Sequence, residues 1–267
     1  MSTHDLHRVT ILKVGELEVP GPQVFWMSAW DEWLPLHFNV LVVEGGGNCL
    51  LVNTGPPADL QQLNRHIQSM LGTRATFKQC SDERLQAQLD RIGLRVEDIT
   101  HIVVTPFTLY STSGLPLFPN AEIFLSKRGW VAFHTTHDHP HDSRWTTLSP
   151  ETLRYLVLDA WDRVRLLEDE DEIVTGVRTW WAGAHHRASI AVEIDTVAGV
   201  VVASDAFFYR ENVLDNRPLG ITESLDEALA CYARVRRVAD HIVPLNDPNL
   251  FGLYPDGVIS TSSRPHA

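Results

Sequence analysis

Short apolar runs, each bounded by glycine, proline or polar residues, divide much of this chain into predicted β-strands. The clearest runs are Val9–Val14, His37–Glu44, Cys49–Asn53, His101–Val104, Ala121–Leu125, Ile173–Trp181, Ile190–Ile194, Val200–Ala203 and His241–Leu245. Apolar residues recur instead at helical spacing in Glu151–Val164 and after the capping box Ser224-x-x-Glu227. The pattern therefore predicts a chain that contains both strands and helices.

The strand predicted at His101–Val104 leads into a polar loop that is the first candidate for chemistry. Pro106 ends the strand, and a stretch rich in hydroxyl groups follows it. Active sites of α/β proteins are commonly built where a buried strand ends in a polar loop. Among the hydroxyl groups of this loop, Thr108, Tyr110 and Ser111 are our candidates for donors or a nucleophile.

A second candidate is the histidine-rich segment HTTHDHPHD, His134–Asp142. Four of the chain's 13 histidines lie in it, and neutral imidazole is the commonest metal ligand. Pro140 and the spacing H-x-x-H-x-H-x-H exclude one regular helix, but a loop can still bring the rings together. We prefer His134, His137 and His139 as metal ligands; the alternative is an exposed polar loop without a role.

Polar residues also follow two other predicted strands. Asp205 comes directly after a buried run, and a carboxylate there needs a cation or hydrogen-bond donors nearby. His185 and His186 follow another strand and are candidate bases or metal ligands. Arg187 beside them is a candidate for binding a carboxylate or a carbonyl oxygen.

A cluster of aromatic side chains lies early in the chain, between Pro20 and Pro35. Its members are Phe25, Trp26, Trp30 and Trp33. They either pack over a sheet edge or form the apolar wall of a ligand pocket, because ligand sites are mostly hydrophobic with few polar groups. On the second interpretation Trp26 and Trp30 contact the substrate.

Composition narrows the possible partners. The net charge of −12 argues against nucleic acid and anionic membranes as main partners. The three cysteines, Cys49, Cys80 and Cys231, are far apart in the chain, and no leader or membrane-spanning run is evident. We expect a cytoplasmic protein that acts on a small molecule, with a homodimer left open.

Three stretches resemble the metallo-β-lactamase-fold hydrolases, and in particular their N-acyl-homoserine lactonase branch. Leu115–Trp130 is similar to the stretch that follows the metal loop of that family, and Leu50–Pro57 is similar to its L-x-D-T-G signature. Gly199–Val213 is similar to the strand that ends in the metal-bridging Asp, which places Asp205 at that position. The resemblance extends over about residues 8 to 260.

The metal ligands of the family are largely replaced. Where the family reads T-H-x-H-x-D-H, this chain has Thr105 and then Pro106, Thr108, Tyr110 and Ser111 at the His, His, Asp and His positions. Downstream, in a loop one residue shorter than the family's, His185 or His186 takes the next ligand place. Asn53, Phe208 and Asn246 replace a supporting Asp, a carbonyl-polarising Tyr and the last His ligand.

The resemblance implies an α/β (α+β) protein with a four-layer αβ/βα sandwich, formed as one domain over residues 1–267. Its two halves are expected at Val9 to about Trp130 and about Ile173 to the C-terminus. It further implies hydrolysis of a small ester, lactone or amide that has an apolar portion.

The leading hypothesis rebuilds the lost site around a divalent metal, with zinc preferred. The predicted metal ligands are His134, His137, His139, His185, His186 and Asp205. Asp205, His186, Arg187 and Tyr110 are the predicted catalytic groups, and Trp26, Trp30, Phe208, Thr108 and Ser111 the predicted substrate contacts. The alternatives are a metal-free hydrolase or lyase that uses His and hydroxyl groups, and a binding protein without catalysis.

Overall fold

A computed structural model describes residues 6–135 and 144–260 of the chain, without the side chains of residues 145 and 146. In chain order the strands are β1 Arg8–Pro20, β2 Trp33–Gly45, β3 Asn48–Val52, β4 His101–Val103, β5 Glu122–Ser126, β6 Val164–Leu167, β7 Glu170–Val174, β8 Val177–Trp181, β9 Ile190–Thr196, β10 Gly199–Ser204, β11 His241–Pro244 and β12 Val258–Ser260.

The helices are mostly short and connect the strands. They are α1 Gly21–Val24, α2 Gln61–Leu71, α3 Leu85–Arg91, α4 Leu109–Thr112, α5 Lys127–Phe133, α6 Arg144–Thr147, α7 Pro150–Arg154, α8 Arg210–Leu214, α9 Leu225–Val238 and α10 Leu250–Leu253. The Ser224 hydroxyl caps α9 by accepting a hydrogen bond from the Glu227 N–H group, as the capping box predicts.

The strands form two sheets. The seven-stranded sheet has the order β12-β1-β2-β3-β4-β5-β6, and the five-stranded sheet has the order β11-β10-β9-β8-β7. In the first sheet β3 to β6 are parallel neighbours, and the long hairpin of β1 and β2 continues it as an antiparallel half. In the second sheet only β10 and β11 are parallel.

Three apolar clusters show how the sheets and helices are layered. One packs α2 and α3 against one face of the seven-stranded sheet, and another packs α8 and α9 against the five-stranded sheet. The third joins side chains from both sheets, such as Val43 of β2 and Val192 of β9. The order helix, sheet, sheet, helix is the predicted four-layer sandwich, which is confirmed.

The predicted division into two sequential halves is wrong at β12, and it left β6 unassigned. β6 lies at one edge of the first sheet, and β12 returns from the C-terminal part to pair with β1 at its other edge. Both strands are short edge strands, so they carry too little periodic pattern to be assigned to a sheet from sequence.

The helix predicted over Glu151–Val164 is also interrupted. α7 passes into a π-helical turn at Tyr155–Asp159, and a 3₁₀ turn then leads into β6. A π turn spaces hydrogen bonds five residues apart and therefore rotates the following side chains off the original face. As a consequence Val157 and Trp161, which belong to the apolar stripe of the predicted helix, are exposed.

The sheets bring the ends of several strands to one edge of the sandwich. The chain after β4 meets the loop before β9 and the residue that follows β10, because the Thr105 hydroxyl donates to the Asp205 carboxyl group. The Asn39 N–H group of β2 donates to the Leu245 carbonyl after β11, across 3.0 Å. No helix in the described part of the chain is long and apolar enough to cross a membrane.

Asn212 of α8 fixes the loop that follows β10. Its buried side-chain oxygen accepts from the N–H groups of Phe208 and Tyr209 at 3.0 and 2.8 Å. Its Nδ2 donates to the carbonyl oxygens of Val24 and Arg217 at 2.8 and 2.9 Å. An amide is required here, because only an amide supplies both two donors and an acceptor.

We therefore predict that Asn212→Asp destabilises the fold by about 2–4 kcal/mol, since a carboxylate would face two carbonyl oxygens. Asn48→Asp in the β2–β3 turn, where the amide makes one exposed contact to Gly46, is the matched control and should cost less than about 0.5 kcal/mol. Urea unfolding at pH 7 measures both. Equal effects for the two variants would contradict the assignment.

Candidate functional site

Asp205 lies at the centre of the site. Its side chain is buried, and its two oxygens accept hydrogen bonds from the hydroxyl groups of Thr105 and Ser189. Burial raises the pKa of Asp205 above its ordinary value, while the bonds from Ser189 and Thr105 and the nearby His186 act in the opposite direction. Of the two possibilities predicted for a carboxylate here, a cation or donors, the structure shows donors.

Asn53 holds the backbone of Thr105 in place. Its Oδ1 accepts from the Thr105 N–H group at 2.8 Å, and its Nδ2 donates to the Thr105 carbonyl at 2.7 Å. Asn53 itself adopts a φ of 69°, a left-handed conformation that Asn tolerates better than most residues. The metallo-β-lactamase-fold family usually has an Asp at this position. A carboxylate only accepts hydrogen bonds, so the amide fits this arrangement where a carboxylate would not.

The loop that carries metal ligands in the resembling family is here a short hydroxyl-rich helix, α4. The Thr108 hydroxyl donates to the Ser111 Oγ at 3.1 Å, and the Tyr110 ring packs edge-on against Phe38 with centroids 4.7 Å apart. Pro106 and Ser111 line a gap of only about 10 Å³. That volume is at the lower limit for a single water molecule.

Asn246, at the position of the last family ligand, is engaged with the backbone of β2. The side-chain Nδ2 of Asn246 donates to the His37 carbonyl at 3.3 Å, and the backbone carbonyl of Asn246 accepts from the His37 N–H group at 3.1 Å. The neighbouring Asp247 is fully buried and accepts backbone N–H groups of Arg210 and Asn249 at 2.9 and 2.8 Å. These two residues therefore support the strand ends.

His185 and His186 are both buried, in the loop before β9. Their rings are 4.2 Å apart, and His185 packs edge-on against Phe208 with centroids 5.1 Å apart. The His185 Nδ1 lies 2.8 Å from the Ile221 carbonyl. A carbonyl only accepts, so this contact places the proton of a neutral ring on Nδ1 and its lone pair on Nε2.

Arg187, predicted as a catalytic group, already has two acidic partners, and its catalytic role stays a prediction. Its guanidinium is ion-paired with Glu223 and donates from Nη1 to the Glu227 carboxylate at 3.0 Å. The hydrogen bond to Glu227 raises the pKa of Arg187, although burial opposes it. Nothing in the residues around Arg187 indicates these acidic partners, which lie 36 and 40 residues further along the chain.

One of these acidic residues, Glu227, fixes the loop that carries His185 and His186. Glu227 also accepts from the N–H group of Ala184 at 3.0 Å, and Ala184 adopts a φ of 62°. Burial disfavours the Glu227 carboxylate, but the hydrogen bonds from Arg187 and Ala184 outweigh it, and its pKa lies below 4.5. Arg187 is thus a positioning group in a clamp that joins the loop to α9.

The described residues do not bring together a metal-ligand set. No three His, Cys, Asp or Glu side chains of residues 6–135 and 144–260 are arranged to hold a metal ion. His134 is exposed at the end of α5, with its Nδ1 2.7 Å from the Trp130 carbonyl. His137 and His139 lie outside the described residues, so their predicted role stays a prediction.

A cavity of about 440 Å³ opens beside these groups. Apolar residues of α2, β1 and β2 form most of its wall, and its polar part comprises Gln23, His66, Thr108, Tyr110, His185 and Asn246. None of the described residues that line it is Asp, Glu, Lys or Arg. The full set is Leu17, Val19, Gln23, Leu36, Phe38, Leu63, His66, Ile67, Met70, Leu71, Thr108, Tyr110, His185, Phe208, Ile221 and Asn246.

The cavity brings together only some of the predicted substrate contacts. Thr108 and Phe208 line it, and Ser111 lines the smaller gap beside it. Trp26 and Trp30 do not line this cavity, and 44% and 65% of their surface is exposed. The aromatic cluster is thus not the wall of the cavity; α2, to which the sequence assigned no chemistry, forms much of it.

The comparisons with known proteins agree with this fold. No protein-family model matches the chain. The N-acyl homoserine lactonase of Bacillus cereus is 22% identical over 208 residues, which are 77% of this chain and 76% of that protein.

Solved structures of hydrolases share the architecture. An N-acyl homoserine lactone hydrolase with N-hexanoyl-L-homoserine at its catalytic metal centre has a TM-score of 0.75 at 18% identity, over 92% of this chain and 95% of that one. A dizinc quorum-quenching lactonase has a TM-score of 0.69 at 16% identity, over 97% and 91%. A hydrolase of the β-lactamase superfamily has 0.68 at 14% identity, over 99% and 92%. The chain therefore has the metallo-β-lactamase fold.

We predict that Glu227→Gln destabilises the protein by about 1–2 kcal/mol at pH 7, because the charged bond to Arg187 is lost. A carboxylate whose pKa is lowered on folding stabilises above its ordinary pKa, and the gain disappears as the pH falls through the lowered value. The difference between Glu227→Gln and wild type should therefore begin to shrink as the pH falls below 4.5 and vanish once the pH is below the lowered pKa.

Urea unfolding between pH 3.5 and 7 tests this prediction. Glu170→Gln is the matched control, because Glu170 also pairs with an arginine, Arg234, but its side chain is 68% exposed. The control should change stability by less than about 0.5 kcal/mol at any pH. A loss in Glu227→Gln that persists at low pH would contradict the charged clamp.

Proposed function

We propose that this protein is a hydrolase of small, uncharged esters or lactones that carry an apolar portion. The observation that carries the proposal is the apolar cavity with His185 in its polar wall. A cavity of about 440 Å³ has the size of a small-molecule site. The absence of charged groups among its described lining residues favours a neutral substrate, since a buried charge would have no partner there.

The donor chemistry of the described residues does not fit the two-metal centre of the relatives. Pro106 has no donor atom, and the hydroxyl groups of Thr108 and Ser111 compete poorly with water for a divalent cation. Both Asp205 oxygens already accept hydroxyl hydrogens. The proposed reaction therefore uses side chains alone.

In this proposal His185 is the general base. With Nδ1 protonated toward the Ile221 carbonyl, Nε2 of the neutral ring takes a proton from a water molecule as the oxygen of that water attacks the substrate carbonyl. The Tyr110 hydroxyl, in the same polar wall, donates to the carbonyl oxygen as it becomes negative, and the Thr108 hydroxyl joins it by turning its hydrogen away from the Ser111 Oγ. Collapse of the tetrahedral intermediate breaks the ester bond, and His185 returns the proton to the leaving alkoxide.

A second candidate function is binding of an apolar small molecule without catalysis. The small volume of the gap beside Pro106 and Ser111 favours this function. The ligand cavity is retained, whereas the adjacent loop lacks the metal ligands of the family. A lyase that uses the same histidine and hydroxyl groups is a further variant. All three functions place the ligand in the same cavity.

Hydrolysis of p-nitrophenyl esters and lactones with acyl chains of increasing length tests the proposal. We predict that His185→Gln lowers kcat by about 10²- to 10⁴-fold, because it removes the base, while binding of a non-hydrolysable amide analogue is retained. Ile67→Trp, which fills the cavity from α2, should instead weaken longer chains selectively. Trp26→Ala and Trp30→Ala test their predicted substrate contact.

The outcomes distinguish the candidates. Binding of the analogue without turnover of any ester by wild type would support the binding protein. Unchanged kcat in His185→Gln would remove the proposed base. Loss of binding in Ile67→Trp together with full binding in Leu229→Trp, at an exposed position on α9, would confirm the cavity as the ligand site.

A metal-assisted version of this hydrolysis stays a prediction. It would join His134, His137 and His139 to His185, His186 and Asp205 around a divalent ion, with zinc preferred. If it is right, His137→Ala/His139→Ala should lower both the metal content, by elemental analysis of untagged protein, and kcat. Full activity of metal-free wild-type protein would contradict it.

Three broader expectations stay predictions in the same way. They are one domain over residues 1–267, a cytoplasmic location and a homodimer.

A further inference from the structure

The hydrogen bonds of Asp205 connect the two sheets of the sandwich. Thr105 follows β4 of the seven-stranded sheet, whereas Ser189 precedes β9 and Asp205 follows β10 of the five-stranded sheet. We propose that this hydroxyl–carboxyl network takes the place of the relatives' metal centre, so that Asp205 joins the two sheets without a cation. The inference concerns structure and does not rest on the proposed function.

Each of the two hydroxyl groups also accepts a hydrogen bond from a backbone N–H group. The Thr105 Oγ1 accepts from the Ile190 N–H group at 2.8 Å and lies 3.1 Å from the Ile190 carbonyl. The Ser189 Oγ accepts from the His186 N–H group at 3.1 Å. Both hydroxyl groups are therefore oriented by backbone donors, which leaves their hydrogens directed toward Asp205.

The space around the network matches this inference. The gap that Asp205, Pro106 and Asn246 line has a volume of only about 10 Å³. Two cations with their ligands and a water molecule need more room than a void the size of one water molecule provides. The Phe38 and Leu245 side chains line the same gap and make it partly apolar.

The network predicts an unusual tolerance at Asp205. An Asn there can accept from Ser189 through its oxygen and donate to the Thr105 Oγ1 through its amide. The Thr105 hydroxyl then turns its hydrogen to the Ile190 carbonyl, which already lies 3.1 Å away. A metal-bridging carboxylate has no such substitute, because an amide nitrogen is not a metal ligand.

Asp247 provides the matched control. It is a second buried Asp that follows a strand end, but both its oxygens accept from backbone N–H groups, those of Arg210 and Asn249. A backbone N–H group cannot reverse its direction, so either orientation of an Asn would place two donors against each other.

Thermal unfolding of the full chain at pH 7 tests the proposal. We expect Asp205→Asn to unfold within about 2 °C of wild type, while Asp205→Ala and Asp247→Asn unfold roughly 5 °C or more below it. We also expect a chelator to shift the midpoints of wild type and Asp205→Asn equally, because no cation is bound through Asp205.

Two results would overturn the proposal. One is an Asp205→Asn midpoint as low as that of Asp205→Ala, which would show that the carboxylate itself is required. The other is a chelator-dependent fall in wild type that is absent from Asp205→Asn, which would show a cation held through Asp205. Neither measurement involves hydrolysis, so failure of the proposed function would leave this test unaffected.

Discussion

The buried carboxyl group of Asp205 and its two hydroxyl partners are the interaction on which the site depends. Removing a carboxyl group from water is costly unless donors replace the lost hydration. Here the donors come from Thr105 and Ser189, which lie 100 and 16 residues away along the chain. Satisfying Asp205 therefore requires the end of β4, the loop before β9 and the end of β10 to meet. The rest of the site is arranged around that junction.

Neighbouring side chains fix the backbone on both sides of this junction. Asn53 fixes the Thr105 backbone by a donor and an acceptor, while Glu227 fixes the other side of the site by binding Ala184 and Arg187. His185 is thereby held between Phe208 and the Ile221 carbonyl, in the wall of the cavity. A metal centre fixes such a loop through ligand bonds; in this chain hydrogen bonds and ion pairs position it.

Much of the fold could be predicted from the sequence, because bounded apolar runs and framework motifs indicate it. The edge strands β6 and β12 escaped, since Arg165 interrupts the apolar run of the partly exposed β6 and β12 has only two apolar residues. The loss of most family ligands was also visible, because Pro106 and Asn246 are chemically unsuited to the role. What replaces them was not visible, since it depends on contacts between residues far apart in the chain.

Arg187 illustrates why residue type alone misleads about a site. An arginine beside two histidines suggests an anion-binding group, but the two glutamates that neutralise it approach from α9 and the segment before it. The cavity shows the reverse case. α2 was assigned no chemistry, yet its apolar face supplies much of the ligand wall, while the prominent Trp26 and Trp30 lie outside it.

The central claim is that Asp205 is satisfied by hydroxyl groups and not by a cation. An anomalous difference map from crystals of the untagged protein grown with zinc tests it most directly. The account predicts no anomalous peak within ligand distance of Asp205, with the hydroxyl groups of Thr105 and Ser189 in hydrogen-bond contact with its two oxygens. A peak that joins Asp205 to His185 or His186, with either hydroxyl group displaced, would contradict it.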